Sequence, residues 1–139
     1  MGEKLVPLDL LIKAERASAS AIALLDLGDV DGASNRAYYA MFDAARSAIL
    51  SLNLPGRPDI GKTHRGTLSA FSEHFVKTGA VSRELGVLLK HAETFCYVAD
   101  YEGGSVELQD AQEIVQQAQV FVSALRLMLL PQTNTSPVD

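Results

Sequence analysis

The fold is decided by one stretch of sequence, Asn35-Arg36-Ala37-Tyr38-Tyr39-Ala40-Met41-Phe42-Asp43-Ala44-Ala45-Arg46. It lies within residues 31–52, where small and apolar residues recur every three or four positions, as they do on one face of an α-helix. The members of this stripe are Ala33, Ala37, Ala40, Met41, Ala44, Ala48 and Leu52. Because alanine side chains are short, such a face lets neighbouring helices approach closely. The stretch therefore predicts a helix packed tightly against other helices.

Four further segments show helical spacing, and Gly, Pro and helix-capping residues separate them. They cover residues 7–27, 63–78, 82–101 and 106–130. The sequence has no alternating run of β-branched residues bounded by hairpin turns. Short connections favour antiparallel neighbours. We expect an all-α fold, an antiparallel up-and-down four-helix bundle with a fifth helix, in one domain over residues 1–131 with a flexible tail at 132–139.

The composition is that of a folded chain, with 47% apolar and 21% charged residues among 139. A net charge of −5 and a pI of about 5.1 argue against a whole surface built for nucleic acid, although a local basic patch is compatible with them. The single cysteine, Cys96, excludes an internal disulfide and a Cys-based zinc site. Without a secretory pattern or a membrane-length apolar run, the chain is expected in the cytoplasm, with no membrane association. The three histidines do not have the spacing of a metal site, and we expect no metal or cofactor.

Residues 56–63 match the phosphate-binding motif G-x-x-x-x-G-K-T letter for letter. In a true P-loop this motif follows a buried strand, and its backbone N–H groups hold the phosphates. Here it follows an alanine-rich helix, so a doubly wound sheet cannot be built around it. The match is interpreted as a coincidence of letters.

Basic residues gather where the third helix begins, at Lys62, His64 and Arg65, with Arg57 nearby. Helix N-termini attract anions through their unpaired N–H groups and the helix dipole. This cluster is either a phosphate-contact site or a solvated basic first turn.

A second group of candidate residues lies on the central helix and at the end of the fourth. Arg36, Tyr39 and Asp43 follow steps of three and four, so they share one helix face. Asp100, followed by Tyr101, stands near a helix C-terminus, where a negative charge is unfavourable without a partner. These residues form either a functional cleft or a structural Arg36–Asp100 salt bridge.

Four short motifs occur in order along the chain: Arg36–Phe42, Lys62–Arg65, Phe75–Gly79 and Ala99–Tyr101. Together they resemble a prokaryotic branch of the HEPN domain family, over about Leu8 to Leu129. The resemblance implies an antiparallel helical bundle that forms a homodimer. It also implies a minimal nucleotidyltransferase as partner, within a toxin–antitoxin pair.

Many HEPN proteins are metal-independent RNases that carry an Arg–His pair near the end of a late helix. Such a pair combines charge stabilisation with acid–base chemistry. The corresponding positions here are Cys96 and Asp100, and neither residue can replace Arg or His chemically. The resemblance therefore argues against the usual RNase site.

Three functional hypotheses follow. The first is a non-catalytic module that binds a nucleotidyltransferase partner, a nucleotide, or both. The second is an RNase with a rearranged site formed by Arg36, His64, Asp100 and Tyr101. The third is a structural interaction domain whose polar residues form salt bridges within the bundle.

Overall fold

The computed structural model describes residues 7–52, 63–102 and 106–129, and only the helical backbone of residues 96–102. The elements are α1 (Pro7–Asp26), α2 (Val30–Ser51), α3 (His64–Phe71), a π-helical segment (Ser72–Val76), α4 (Arg83–Glu102) and α5 (Leu108–Leu129). No β-strand occurs in the described part of the chain. The predicted all-α fold and its five helical segments are confirmed.

Capping interactions fix where the helices begin and end. The Asp29 carboxylate accepts a hydrogen bond from the Gly32 N–H at 2.9 Å, and Thr63 Oγ1 accepts one from the Gly66 N–H at 2.9 Å. Each satisfies an amide that has no partner in the first helical turn. Gly28 has a φ of 87°, the left-handed conformation that often follows a helix. As a result, α1 reverses into α2 over three residues.

Helix α2 lies at the centre of the bundle, where it contacts α1, α3, α4 and α5. The alanine stripe forms these contacts, since the following members have no exposed surface: Ala33, Ala37, Ala40, Met41, Ala44 and Ala48. Leu52 was predicted at the end of this stripe, but it is 37% exposed because it lies just beyond the last residue of α2. The prediction of close helix packing is confirmed for the rest of the stripe.

The third predicted helix is continuous, but its second half is wider than an α-helix. After α3, the Lys77 N–H donates to the Ser72 carbonyl oxygen at 2.9 Å, a spacing of five residues. Phe71 and Phe75 are buried and stack on one another across the junction, with ring centroids 5.4 Å apart. Apolar steps of three and four fit both helix types, so the sequence did not reveal the change. Gly79, with a φ of 82°, follows this segment.

Some predictions concern residues outside the described ranges. Lys62 and the tail at 132–139 are among them, as are the side chains of Cys96, Asp100 and Tyr101. None of the helices in the described part is long and apolar enough to cross a membrane.

Candidate functional site

A cleft of about 460 Å³ opens between α1, α2 and the first residue of α3. Helix α1 contributes polar and small side chains, α2 contributes one continuous face, and α3 contributes His64. The lining residues are Lys13, Arg16, Ala17, Ser20, Arg36, Tyr39, Phe42, Asp43, Arg46 and His64. The alanine-lined packing of α2 against α1 holds the two sides of this α1–α2 cleft in place.

The α1–α2 cleft is strongly cationic in a protein that is acidic overall. Among the residues that the structure describes, four Lys and Arg side chains line it, together with one acidic side chain. The cations are Lys13 and Arg16 from α1 and Arg36 and Arg46 from α2. Charges that share a partly enclosed space are screened less than charges on an open surface. This arrangement favours an anionic ligand, and arginine suits phosphate in particular because its planar guanidinium can donate two parallel hydrogen bonds.

Asp43 is the carboxylate of the cleft, and it is only 6% exposed. Burial raises the pKa of its carboxyl above the ordinary value, although Lys13, Arg46, Arg36 and His64 lower it in part. Within the described residues, neither a hydrogen bond nor an ion pair engages this carboxylate. Asp43 is therefore a buried acceptor whose hydrogen-bonding capacity the described residues leave unused.

His64 is held by an aromatic cluster on α2. Its Nδ1 lies 3.0 Å from the hydroxyl oxygen of Tyr38, which is 3% exposed. Its ring stacks on Phe42 with centroids 4.2 Å apart, and the edge of Tyr39 packs beside it. When Tyr38 donates to Nδ1, the neutral imidazole carries its proton on Nε2. The cluster thus fixes the orientation of the His64 ring at the edge of the cleft.

The structure brings together four of the residues that the sequence singled out. Arg36, Tyr39, Asp43 and His64 all line the α1–α2 cleft, and the Arg36 guanidinium lies 5.5 Å from the centre of the Tyr39 ring. Arg65 does not join them. It lines a second groove, of about 920 Å³, formed by α3, the π-helical segment and α4.

Sequence reasoning missed Lys13, Arg16 and Ser20 on α1, and it did not place Arg46 on the shared face of α2. Arg46 could have been found, because it continues the steps of three and four from Arg36 through Asp43. The α1 residues carry a weaker signal, since polar residues opposite an apolar stripe are usually solvated.

The structure agrees that the match at residues 56–63 is not a P-loop. The Thr63 hydroxyl caps α3, and the element that precedes the motif is helix α2. Residues 56–62 lie outside the described ranges. In the described part of the chain, no three His, Cys, Asp or Glu residues are grouped closely enough to hold a metal ion.

Comparison with known proteins agrees with the helical architecture. The sequence matches the HEPN domain family over residues 8–128. The chain belongs to the HEPN family. A UPF0332 protein of Gloeobacter violaceus is 35% identical over 116 residues, which cover 82% of this chain and 88% of that protein.

Two similar proteins of Methanocaldococcus jannaschii carry the name "Putative toxin". One is 30% identical over 94 residues, covering 68% of this chain and 66% of its own length. The other is 25% identical over 122 residues, covering 87% and 80%.

Proposed function

We propose that this protein is a HEPN module of a toxin–antitoxin pair whose α1–α2 cleft binds the phosphate groups of a nucleotide. The observation that carries the proposal is the convergence of Lys13, Arg16, Arg36 and Arg46 around one cleft. Like charges repel one another, so such a group is stabilised when an anion lies between its members. Tyr39 adds apolar surface against which a sugar or base can pack.

Isothermal titration calorimetry with ATP tests this proposal. Arg36→Gln should weaken binding by about tenfold or more, because a charge-assisted hydrogen bond contributes roughly 1.5–3 kcal/mol. Arg83→Gln is the matched control, since Arg83 is exposed at the start of α4 and lines the second groove. Equal affinities of Arg36→Gln and Arg83→Gln for ATP would contradict a phosphate site in the cleft.

Arg65→Gln decides how far the phosphate site extends. The sequence predicted Lys62 and Arg65 as phosphate contacts, and Arg65 lines the second groove. Weakened ATP binding in Arg65→Gln would extend the site to the N-terminus of α3. Unchanged binding would confine it to the cleft.

The proposed protein partner is a minimal nucleotidyltransferase, bound by a homodimer of this chain. The HEPN resemblance and the toxin names of the relatives support this pairing. Native mass spectrometry of the protein, alone and co-expressed with the product of the adjacent gene, tests it. We expect a dimer that gains the neighbouring protein in fixed stoichiometry. A protein that stays monomeric and does not bind its neighbour would contradict the pairing.

An RNase is the second candidate function, and the position of His64 favours it. Tyr38 and Phe42 fix the His64 ring beside a cluster of cations, an arrangement suited to acid–base chemistry on a phosphodiester. This proposal also assigns Arg36, Asp100 and Tyr101 to the reaction. Incubation with total RNA, followed by His64→Ala, tests it. Cleavage that persists in His64→Ala would contradict the assignment.

A further inference from the structure

Asp43 is the feature of the cleft that phosphate binding does not explain. A cleft for phosphate alone needs only cations, and a carboxylate there repels the ligand. Asp43 is 6% exposed, and no hydrogen bond or ion pair within the described residues engages it. Buried polar groups nearly always have a partner, because burying one without a hydrogen bond is costly. The carboxylate therefore lines the cleft with hydrogen-bonding capacity that a ligand can use.

The chemistry of a carboxylate defines that partner. An ionised carboxylate only accepts hydrogen bonds, so the ligand must present a donor. A phosphate group lacks one in its fully ionised form, whereas a nucleotide has two kinds, the ribose hydroxyls and the amino group of the base. Both would satisfy Asp43 in the same way.

The order of residues along α2 fits a ligand with phosphate at one end and a donor at the other. Arg36 and Asp43 are separated by seven residues, or ~10 Å along the axis at about 1.5 Å per residue. Tyr39 and Phe42 lie between them on the same cleft. The face thus presents the cation of Arg36, then aromatic rings, then the Asp43 carboxylate, with Arg46 one turn further along. A nucleotide presents phosphate, then sugar and base, over a comparable length.

We propose that Asp43 is the specificity-determining residue of the α1–α2 cleft. Its carboxylate accepts a hydrogen bond from a ribose hydroxyl or a base amino group, so that the cleft selects nucleotides over inorganic polyphosphates. This inference rests on the proposed nucleotide function and names the chemical class that the site distinguishes.

The test compares ATP with inorganic tripolyphosphate by titration calorimetry, using the wild-type protein and Asp43→Asn. The wild-type protein should bind ATP more tightly than tripolyphosphate. Asp43→Asn should lower the affinity for ATP relative to that for tripolyphosphate by roughly tenfold, since the asparagine amide oxygen still accepts a hydrogen bond but lacks the charge that strengthens it. Its affinity for tripolyphosphate should stay the same or rise, because a repelling charge has been removed. Tripolyphosphate binding also reports that the variant is folded.

Analogues of ATP identify which donor Asp43 contacts. If a ribose hydroxyl is the donor, Asp43→Asn should not weaken the binding of 2′-deoxy-ATP or of 3′-deoxy-ATP. If the base amino group is the donor, Asp43→Asn should not weaken the binding of inosine triphosphate. Equal weakening of ATP and tripolyphosphate by Asp43→Asn would overturn the inference.

The failure of this inference can be distinguished from the failure of the proposed function. If Arg36→Gln weakens the binding of both ligands while Asp43→Asn leaves the ratio of the two affinities unchanged, the cleft binds phosphate, and Asp43 does not contribute to the choice of ligand. If Arg36→Gln weakens neither ligand, the phosphate site itself is absent.

Discussion

Asp43 makes the stability of the protein depend on pH in an unusual direction. Burial raises the pKa of its carboxyl, so between the ordinary value of 3.8 and the raised value the folded state holds a proton that the unfolded state has released. Stability contributed by this group therefore falls as the pH rises through that window, and it is regained as the pH is lowered. Most native carboxylates act in the opposite direction.

Urea unfolding of the wild-type protein and Asp43→Asn across pH isolates this effect from the other carboxylates. Asp43→Asn should be the more stable protein at neutral pH, because it removes a desolvated charge. The difference between the two free energies of unfolding should shrink as the pH falls towards 3.8. Parallel curves over the whole range would show that Asp43 titrates with its ordinary pKa.

The sequence predicted the part of the candidate site that lies on α2. Arg36, Tyr39 and Asp43 follow helical steps along one element, and periodicity is enough to place them on one face. Lys13 and Arg16 come from another helix, and their position opposite this face depends on how α1 and α2 are rotated against each other. That rotation is set by packing, which linear spacing does not record.

Among the helices, α3 is the short one that carries His64 into the cleft, and Thr63 fixes its start. Thr63→Ala removes the hydrogen bond to the Gly66 N–H and should lower the free energy of unfolding by about 1 kcal/mol. Thermal or urea unfolding measures this change. Ser69→Ala is the matched control, because Ser69 is exposed within α3 and caps nothing that the structure describes.

If Thr63→Ala and Ser69→Ala unfold at the same urea concentration, the cap contributes nothing to stability. The start of α3 would then depend on its other contacts, among them those of His64 with Tyr38 and Phe42.

The elements themselves were predictable because each helix has an apolar stripe and is bounded by Gly, Pro or a capping residue. Gly28 and Thr63 are two such boundary residues in the structure. The π-helical segment Ser72–Val76 was not predictable, since Phe71 and Phe75 pack together in either helix type. The π-helical segment differs from an α-helix in its backbone hydrogen bonds, and these follow from tertiary packing.

For the whole molecule, the contrast between overall and local charge bears on which ligand fits. The chain carries a net charge of −5, which repels a long polyanion such as RNA. In the described part of the chain, the cationic cleft has a volume of about 460 Å³, a size that suits a small anion. Proteins that bind RNA through its backbone usually present a broad basic surface. The charge distribution therefore favours a nucleotide over RNA as the ligand.

Because the α1–α2 cleft exists only when α1, α2 and α3 are assembled, its ligand should stabilise the whole fold. A ligand that binds only the native state raises the free energy of unfolding by about 2.7 kcal/mol when its concentration is one hundred times its Kd. ATP should therefore raise the Tm of the wild-type protein and of Arg83→Gln by several degrees, as measured by scanning calorimetry. Arg36→Gln at the same ATP concentration should show a much smaller rise. A Tm that increases equally in all three proteins would indicate that ATP binds elsewhere, whereas no increase in any of them would contradict the nucleotide function.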